Sequence, residues 1–148
     1  MYIENFIQQL DKLEQTRKGF RYTLGKALQV DDFKSIEEKL EISIPNKIKD
    51  FYLVANGLIT NNPEFEIIAI DSWVVKSDSI HFATFDQINK IYFNISEINQ
   101  AGEWTIYNLQ DNYEITLTIS SFWSNKIWQW IIKNKKIWAN NWWLTQTI

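Results

Sequence analysis

Residues 79–95 read "SIHFATFDQINKIYFNI", and the alternation in this stretch decides the fold. In "KIYFNI" Ile91, Phe93 and Ile95 fall on one side while Lys90, Tyr92 and Asn94 fall on the other, the period of two that a half-buried strand requires. "SIHFATF" just before it is a second strand candidate, less cleanly alternating. The connection between them, "FDQIN", is far shorter than the roughly dozen residues a parallel crossover needs, so the two strands are expected side by side and antiparallel.

Outward from this pair the same period recurs. In "YEITLTI" (113–119) Tyr113, Ile115, Leu117 and Ile119 oppose Glu114, Thr116 and Thr118, which reads as a strand with one wet face. "FEIIAI" and "EWTIYNL" are further candidates, and the short "LQDN" again favours antiparallel neighbours. Upstream of residue 64 the period is helical. Ile3, Phe6, Ile7, Leu10 and Leu13 share a face in "YIENFIQQLDKL"; Phe33, Ile36 and Leu40 share one in a short helix that Asp31 or Asp32 can cap. Between these two helices "EQTRKGFRYTLGKALQV" reads as a connection with a short strand at "FRYTL". Pro45 pushes Ile44 toward an extended conformation, stops the earlier helix, and suits the first turn of the next, where Asn46 offers a further cap. Ile48, Phe51, Tyr52 and Ala55 then lie at i, i+3, i+4 and i+7, with Asn56-Gly57 as the expected left-handed C-terminal cap. Ser120 or Ser121 is placed to cap a last helix whose core stripe is Trp123, Ile127, Trp130 and Ile131, flanked by Trp128 and Ile132. Helices before and after a run of alternating segments give an α+β class: a central antiparallel sheet with helices on one face.

Composition narrows the function classes. The 148 residues suit a single domain, 1–148, with one core; 45% hydrophobic and 22% charged residues are ordinary for a soluble globular protein. No apolar run reaches the length of a membrane span, and "MYIENFIQQLDK" carries acids and glutamines where a secretory signal carries basic then apolar residues, so the expected compartment is the cytoplasm. Cysteine is absent, which excludes disulfides, thiolate nucleophiles and zinc-cysteine sites. A net charge of −3 with no basic run lacks the footprint of a phosphate-backbone binder, so nucleic acid is not an expected direct ligand.

Catalytic constellations are equally sparse. There is one histidine, His81, in a strand between Ile80 and Phe82, where a structural or surface role outweighs a metal one. No phosphate-binding loop, dinucleotide fingerprint or nucleophile elbow occurs. Glu37, Glu38 and Glu41 read as the solvated face of a short helix rather than as paired acids. No cofactor and no enzyme activity are expected. Tryptophan is abundant, eight in all with seven from Trp104 onward; Trp123 and Trp130 at helical spacing are core, and Trp138, Trp142 and Trp143 are expected to pack back on the domain. Exposed tryptophans would instead offer a stacking platform for sugars, the reading of a carbohydrate-binding module.

One ordered set of segments resembles a known family. The acidic helix "IEEKLEISIP", then "NKIKDFYLVANG", then the paired strands "IHFATFDQINKIYFNI" and the closing "ISSFWSNKIWQWI" are similar, over about residues 31–134, to the SUKH superfamily, the Smi/Knr cell-wall-assembly-regulator-like proteins. Pro45, Phe51, Asn56 and Gly57 match best and read as folding determinants. The chain departs from the family in having Asp86-Gln87-Ile88-Asn89, without glycine, in the turn after the Phe-Ala strand, which argues against a tight turn there.

The resemblance implies an α+β fold and a non-catalytic role. Bacterial members are commonly immunity proteins that neutralise a cognate toxin, often a nuclease, and fungal relatives are regulatory interaction proteins. The expected partner is therefore a cognate protein toxin, bound by a monomer or weak homodimer, with a regulatory scaffold as the alternative. For the contact surface the expectation is the wet sheet face, Tyr92, Asn94, Glu114 and Thr116, with Asp86 and Asp111 at its edges, although such a face is polar whether or not it binds.

Overall fold

The computed structural model describes residues 2–110 and 113–135. The elements run α1 (Tyr2–Thr16), β1 (Arg21–Leu24), α2 (Val30–Leu40), α3 (Asn46–Val54), β2 (Leu58–Asn61), β3 (Phe65–Ile67), β4 (Val75–Lys76), β5 (Ser79–Phe85), β6 (Asn89–Asn94), β7 (Thr105–Asn108) and β8 (Tyr113–Thr116). A closing helix follows, formed by α4 (Ile119–Ser121), a π-wound turn over Phe122–Ile127 and α5 (Trp128–Ile131). The fold is α+β. The eight strands form one sheet in the order β1-β2-β3-β5-β6-β7-β8, with β4 paired to β5 beside the main path, and each pairing is antiparallel. β2 and β4 are not among the strands that periodicity predicts: β4, of two residues, is too short to display a period, and β2 inverts it, with Ile59 exposed and Thr60 buried. β8 stops at Thr116, short of the alternation that runs on to Ile119, because Thr118 and Ile119 are taken up in starting the closing helix.

One face of the sheet and the helices enclose the core. Ile80, Phe82, Phe85, Ile91, Phe93 and Ile106 point inward and are at most 1% exposed. Phe82 stacks on Phe93 with ring centroids 3.7 Å apart, and Trp123 of the closing helix meets Phe6 of α1 and Phe51 of α3, each at 4.9 Å. Trp123, Ile127, Trp130 and Ile131 form the expected buried stripe, and Phe122 joins them. In the π-wound turn the Trp128 N–H reaches back five residues to the Trp123 carbonyl and is shared with that of Asn125. Arg17 ties α1 to the far end of this helix, its guanidinium donating to the carbonyls of Ile131 at 2.7 Å and Ile132 at 3.0 Å, where a cation also complements the helix dipole.

Several caps fall a few residues from their expected positions. Gln29, not Asp31 or Asp32, caps α2; Asp32 contributes from the third helical position, its carboxylate accepting from the Gln29 N–H at 2.7 Å. Thr118, not Ser120 or Ser121, caps the closing helix, its hydroxyl accepting from the Ser121 N–H at 3.1 Å. α2 stops before Pro45 acts: Glu41 adopts φ +57 and closes the helix. Pro45 stands just outside α3, its carbonyl accepting from the N–H groups of Ile48 and Lys49, and Asn46 is the first helical residue rather than a cap. Glu37 is not merely solvated, since its carboxylate accepts from the Ile44 N–H at 2.7 Å and pairs with Lys49 at 3.3 Å, clasping the joint between α2 and α3.

Asn56-Gly57 is not the left-handed cap of α3; that helix ends on Ala55 in an extended conformation. Asn56 instead holds three segments together. Its N–H donates to the Lys26 carbonyl, its side-chain oxygen accepts from the Ile70 N–H at 2.7 Å, and its side-chain nitrogen donates to Asp71 at 2.8 Å. Gly57, at φ +105, accepts from the Gly25 N–H at 3.0 Å, and a Cβ on Gly25 would lie 2.0 Å from the Asn56 carbonyl oxygen. The hairpin between β5 and β6 is tight despite its lack of glycine: residues 86–88 form the turn, with Asp86 at φ +54 and Gln87 at φ +66.

Candidate functional site

The helices cover one side of the sheet, and no described element packs over the other. Register builds a row across four strands on this open face: His81 of β5 opposite Tyr92 of β6, Tyr92 opposite Tyr107 of β7, and Tyr107 opposite Glu114 of β8. The rings touch in sequence, His81 to Tyr92 at 5.3 Å and Tyr92 to Tyr107 at 5.9 Å, each pair tilted, so the three form a continuous, half-buried strip. The Tyr107 hydroxyl bonds the Ser79 hydroxyl, which fixes the ring's outer edge. Ser79, Asn94 and Thr105 make the neighbouring row. On the other side Glu66, Thr84 and Lys90 line up, with exposed Ile59 opposite Glu66.

Of the residues expected at a contact surface, Tyr92, Asn94 and Glu114 lie together here. Thr116 lies beyond a bulge in β8, opposite the inward-facing Ile106, and donates its hydroxyl to the Thr118 carbonyl. Asp86 sits at the half-buried tip of the β5–β6 hairpin, its N–H donating to the Glu64 carbonyl at 2.9 Å. Asp111 lies outside the described residues. Tyr107 and His81 complete the row and are not among the expected contact residues, because strand register, which aligns them, is not written in any one strand's period.

A shallow concavity of about 410 Å³ opens between β2, β3, β5 and the hairpin, lined by Ile59, Glu66, His81, Thr84 and Lys90. His81 Nε2 lies 2.8 Å from the Thr84 hydroxyl and 3.0 Å from the Ala83 carbonyl. Burial holds the imidazole below its ordinary pKa, and the positive charge of Lys90 acts the same way, against the opposing pull of the Ala83 carbonyl. The ring is thus a fixed, neutral member of the strip. Among the described residues no three His, Cys, Asp or Glu side chains gather to hold a metal ion. None of the described helices is long and apolar enough to cross a membrane.

The tryptophans go elsewhere. Trp73, Trp104, Trp123 and Trp130 are at most 4% exposed, and Trp128 is half-buried against the core; Trp138, Trp142 and Trp143 lie outside the described residues. None of the five described rings stands clear of the surface as a sugar platform would.

A second concavity, of about 630 Å³, runs between the α2–α3 joint and the loops beside β4 and β6, with Glu41, Asp78 and Glu97 among its lining residues. No protein-family model matches the chain, and no curated protein matches it in sequence.

Proposed function

We propose that the protein is a non-catalytic immunity protein of the SUKH type, which neutralises a cognate toxin in the cytoplasm by protein–protein contact. The observation that carries the reading is the open sheet face, where an aromatic strip made of His81, Tyr92 and Tyr107 ends in the Glu114 carboxylate. Flat aromatic rings already held by their neighbours lose little entropy on binding and supply the anchors on which interface energy concentrates. Polar residues around them, Asn94, Thr105, Glu66 and Lys90, provide a rim that stays wet without a partner. The joint at Pro45, the Asn56-Gly57 turn and the antiparallel hairpin stand in the order that the family resemblance rests on.

The test is co-expression of the chain with the toxin-like products of neighbouring genes, scored by growth and by recovery of a complex. Rescue together with a stable complex is the expected result. Replacing Tyr92 and Glu114 by lysine should weaken that complex by about tenfold or more, since hot-spot truncations cost at least that. Full protection by a double variant with unchanged melting temperature would exclude this face.

A further inference from the structure

We infer that the groove at the α2–α3 joint is a second docking surface, which takes an extended, lysine- or arginine-bearing segment of a partner protein. Its floor is apolar: Ile44 and Trp104 are buried at 3% exposure, and Pro45 and Ile95 lie beside them. Its charged lining is of one sign. Glu41, Asp78 and Glu97 are all exposed, none forms an ion pair among the described residues, and no lysine, arginine or histidine lines the groove.

A further feature marks the groove as unfinished surface. Ile98 on its rim is 56% exposed. A large aliphatic side chain held out beside an apolar floor is a pattern that a protein segment, rather than water, satisfies.

Charge complementarity selects the occupant. Three unpaired carboxylates repel phosphate, nucleic acid and acidic peptides, and attract cations. Lysine and arginine also carry long aliphatic stems, which lie along an apolar floor while their heads reach carboxylates at the rim. A segment alternating basic and aliphatic residues therefore matches floor and rim together. The volume of about 630 Å³ is of the size that seats a few side chains. A basic segment of any partner would satisfy the groove, whether or not that partner is a toxin.

The experiment is a nuclear magnetic resonance titration of the full chain with two synthetic peptides, one alternating lysine and valine, the other glutamate and valine. The expected result is shifts confined to residues 41–45, 77–78 and 95–98 with the basic peptide, weakening as salt is raised, and none with the acidic one. The E41Q/D78N/E97Q variant should bind the basic peptide about tenfold more weakly, the sum of three exposed charge contacts. All three side chains are exposed, so the variant keeps the fold, which its unshifted core resonances check; I98S, which adds no charge, is a second variant that should lose the apolar half of the contact. Equal shifts from both peptides, undiminished binding by both variants, or shifts only on the open sheet face would overturn the inference.

Discussion

Gly25 has an ordinary backbone, yet it is among the least replaceable residues of the chain. Its Cα passes so close to the Asn56 carbonyl that a methyl group would lie 2.0 Å from the oxygen, well inside contact distance. Relief must come from backbone, because Gly25 is also bonded to Gly57 and Asn56 to Lys26, Ile70 and Asp71. Gly25→Ala is expected to destabilise the protein by about 3 kcal/mol, the upper range for overpacking, measured by urea unfolding. Gly102 differs, since a methyl group there would meet nothing within 4 Å; its φ of +80 makes alanine cost only about 1 kcal/mol. The sequence singles out Asn56 and Gly57 through a helix cap, whereas the structure places them in a clasp with residues 25–26 and 70–71. Composition cannot show that Gly25 lies against them, because the chain between says nothing of which carbonyl comes near.

At the scale of elements, the closing helix shows how capping chemistry and sequence position separate. Three hydroxyl residues, Thr118, Ser120 and Ser121, stand close together, and any of them satisfies the preference for an oxygen at the start of a helix. The structure uses Thr118, whose extended backbone and bond to the Ser121 N–H define the cap. Thr118→Ala is therefore expected to lower stability by about 1 kcal/mol, whereas Ser120→Ala should change it by less than about 0.5 kcal/mol; thermal melts of the two variants compare them directly. Strands are legible where a wet face and a dry face alternate over a long enough run, as in β6. They are illegible in β4, which has only two residues, and in β2, where apolar Ile59 faces out and polar Thr60 faces in. For the open face the same rule applies: Tyr92, Asn94 and Glu114 follow from alternation, while the partnership of Tyr92 with His81 and Tyr107 follows only from register.

Across the whole molecule, stability should respond to pH through a group whose role no local pattern announces. Glu103 is buried, and its carboxylate accepts from the Ile119 N–H at 2.9 Å, joining the loop before β7 to the closing helix. Burial raises its pKa above the ordinary 4.5, outweighing the lowering effects of that bond and of Lys47. A raised carboxyl pKa means the folded state holds the proton more tightly than the unfolded chain, so this contribution is full below 4.5 and is lost as pH rises through the folded value. Glu103→Gln keeps an acceptor for Ile119 without the charge. The variant's melting temperature relative to the native protein should therefore be higher at pH 7.5 than at pH 4; a difference that is flat with pH, or of opposite slope, would refute the assignment. His81 is common to both proteins and cancels from the comparison.

The strand order also bears on how the chain assembles itself. From β5 to β8 every strand lies beside its successor, so this half of the sheet closes only short loops and can zip up hairpin by hairpin. Joining β1 to β2 is different, because α2 and α3 intervene and a long loop must close before Arg21–Leu24 finds Leu58–Asn61. The meander is thus expected to form the early nucleus and the β1–β2 seam to set last. Weakening that seam then hastens unfolding and leaves the speed of refolding nearly untouched.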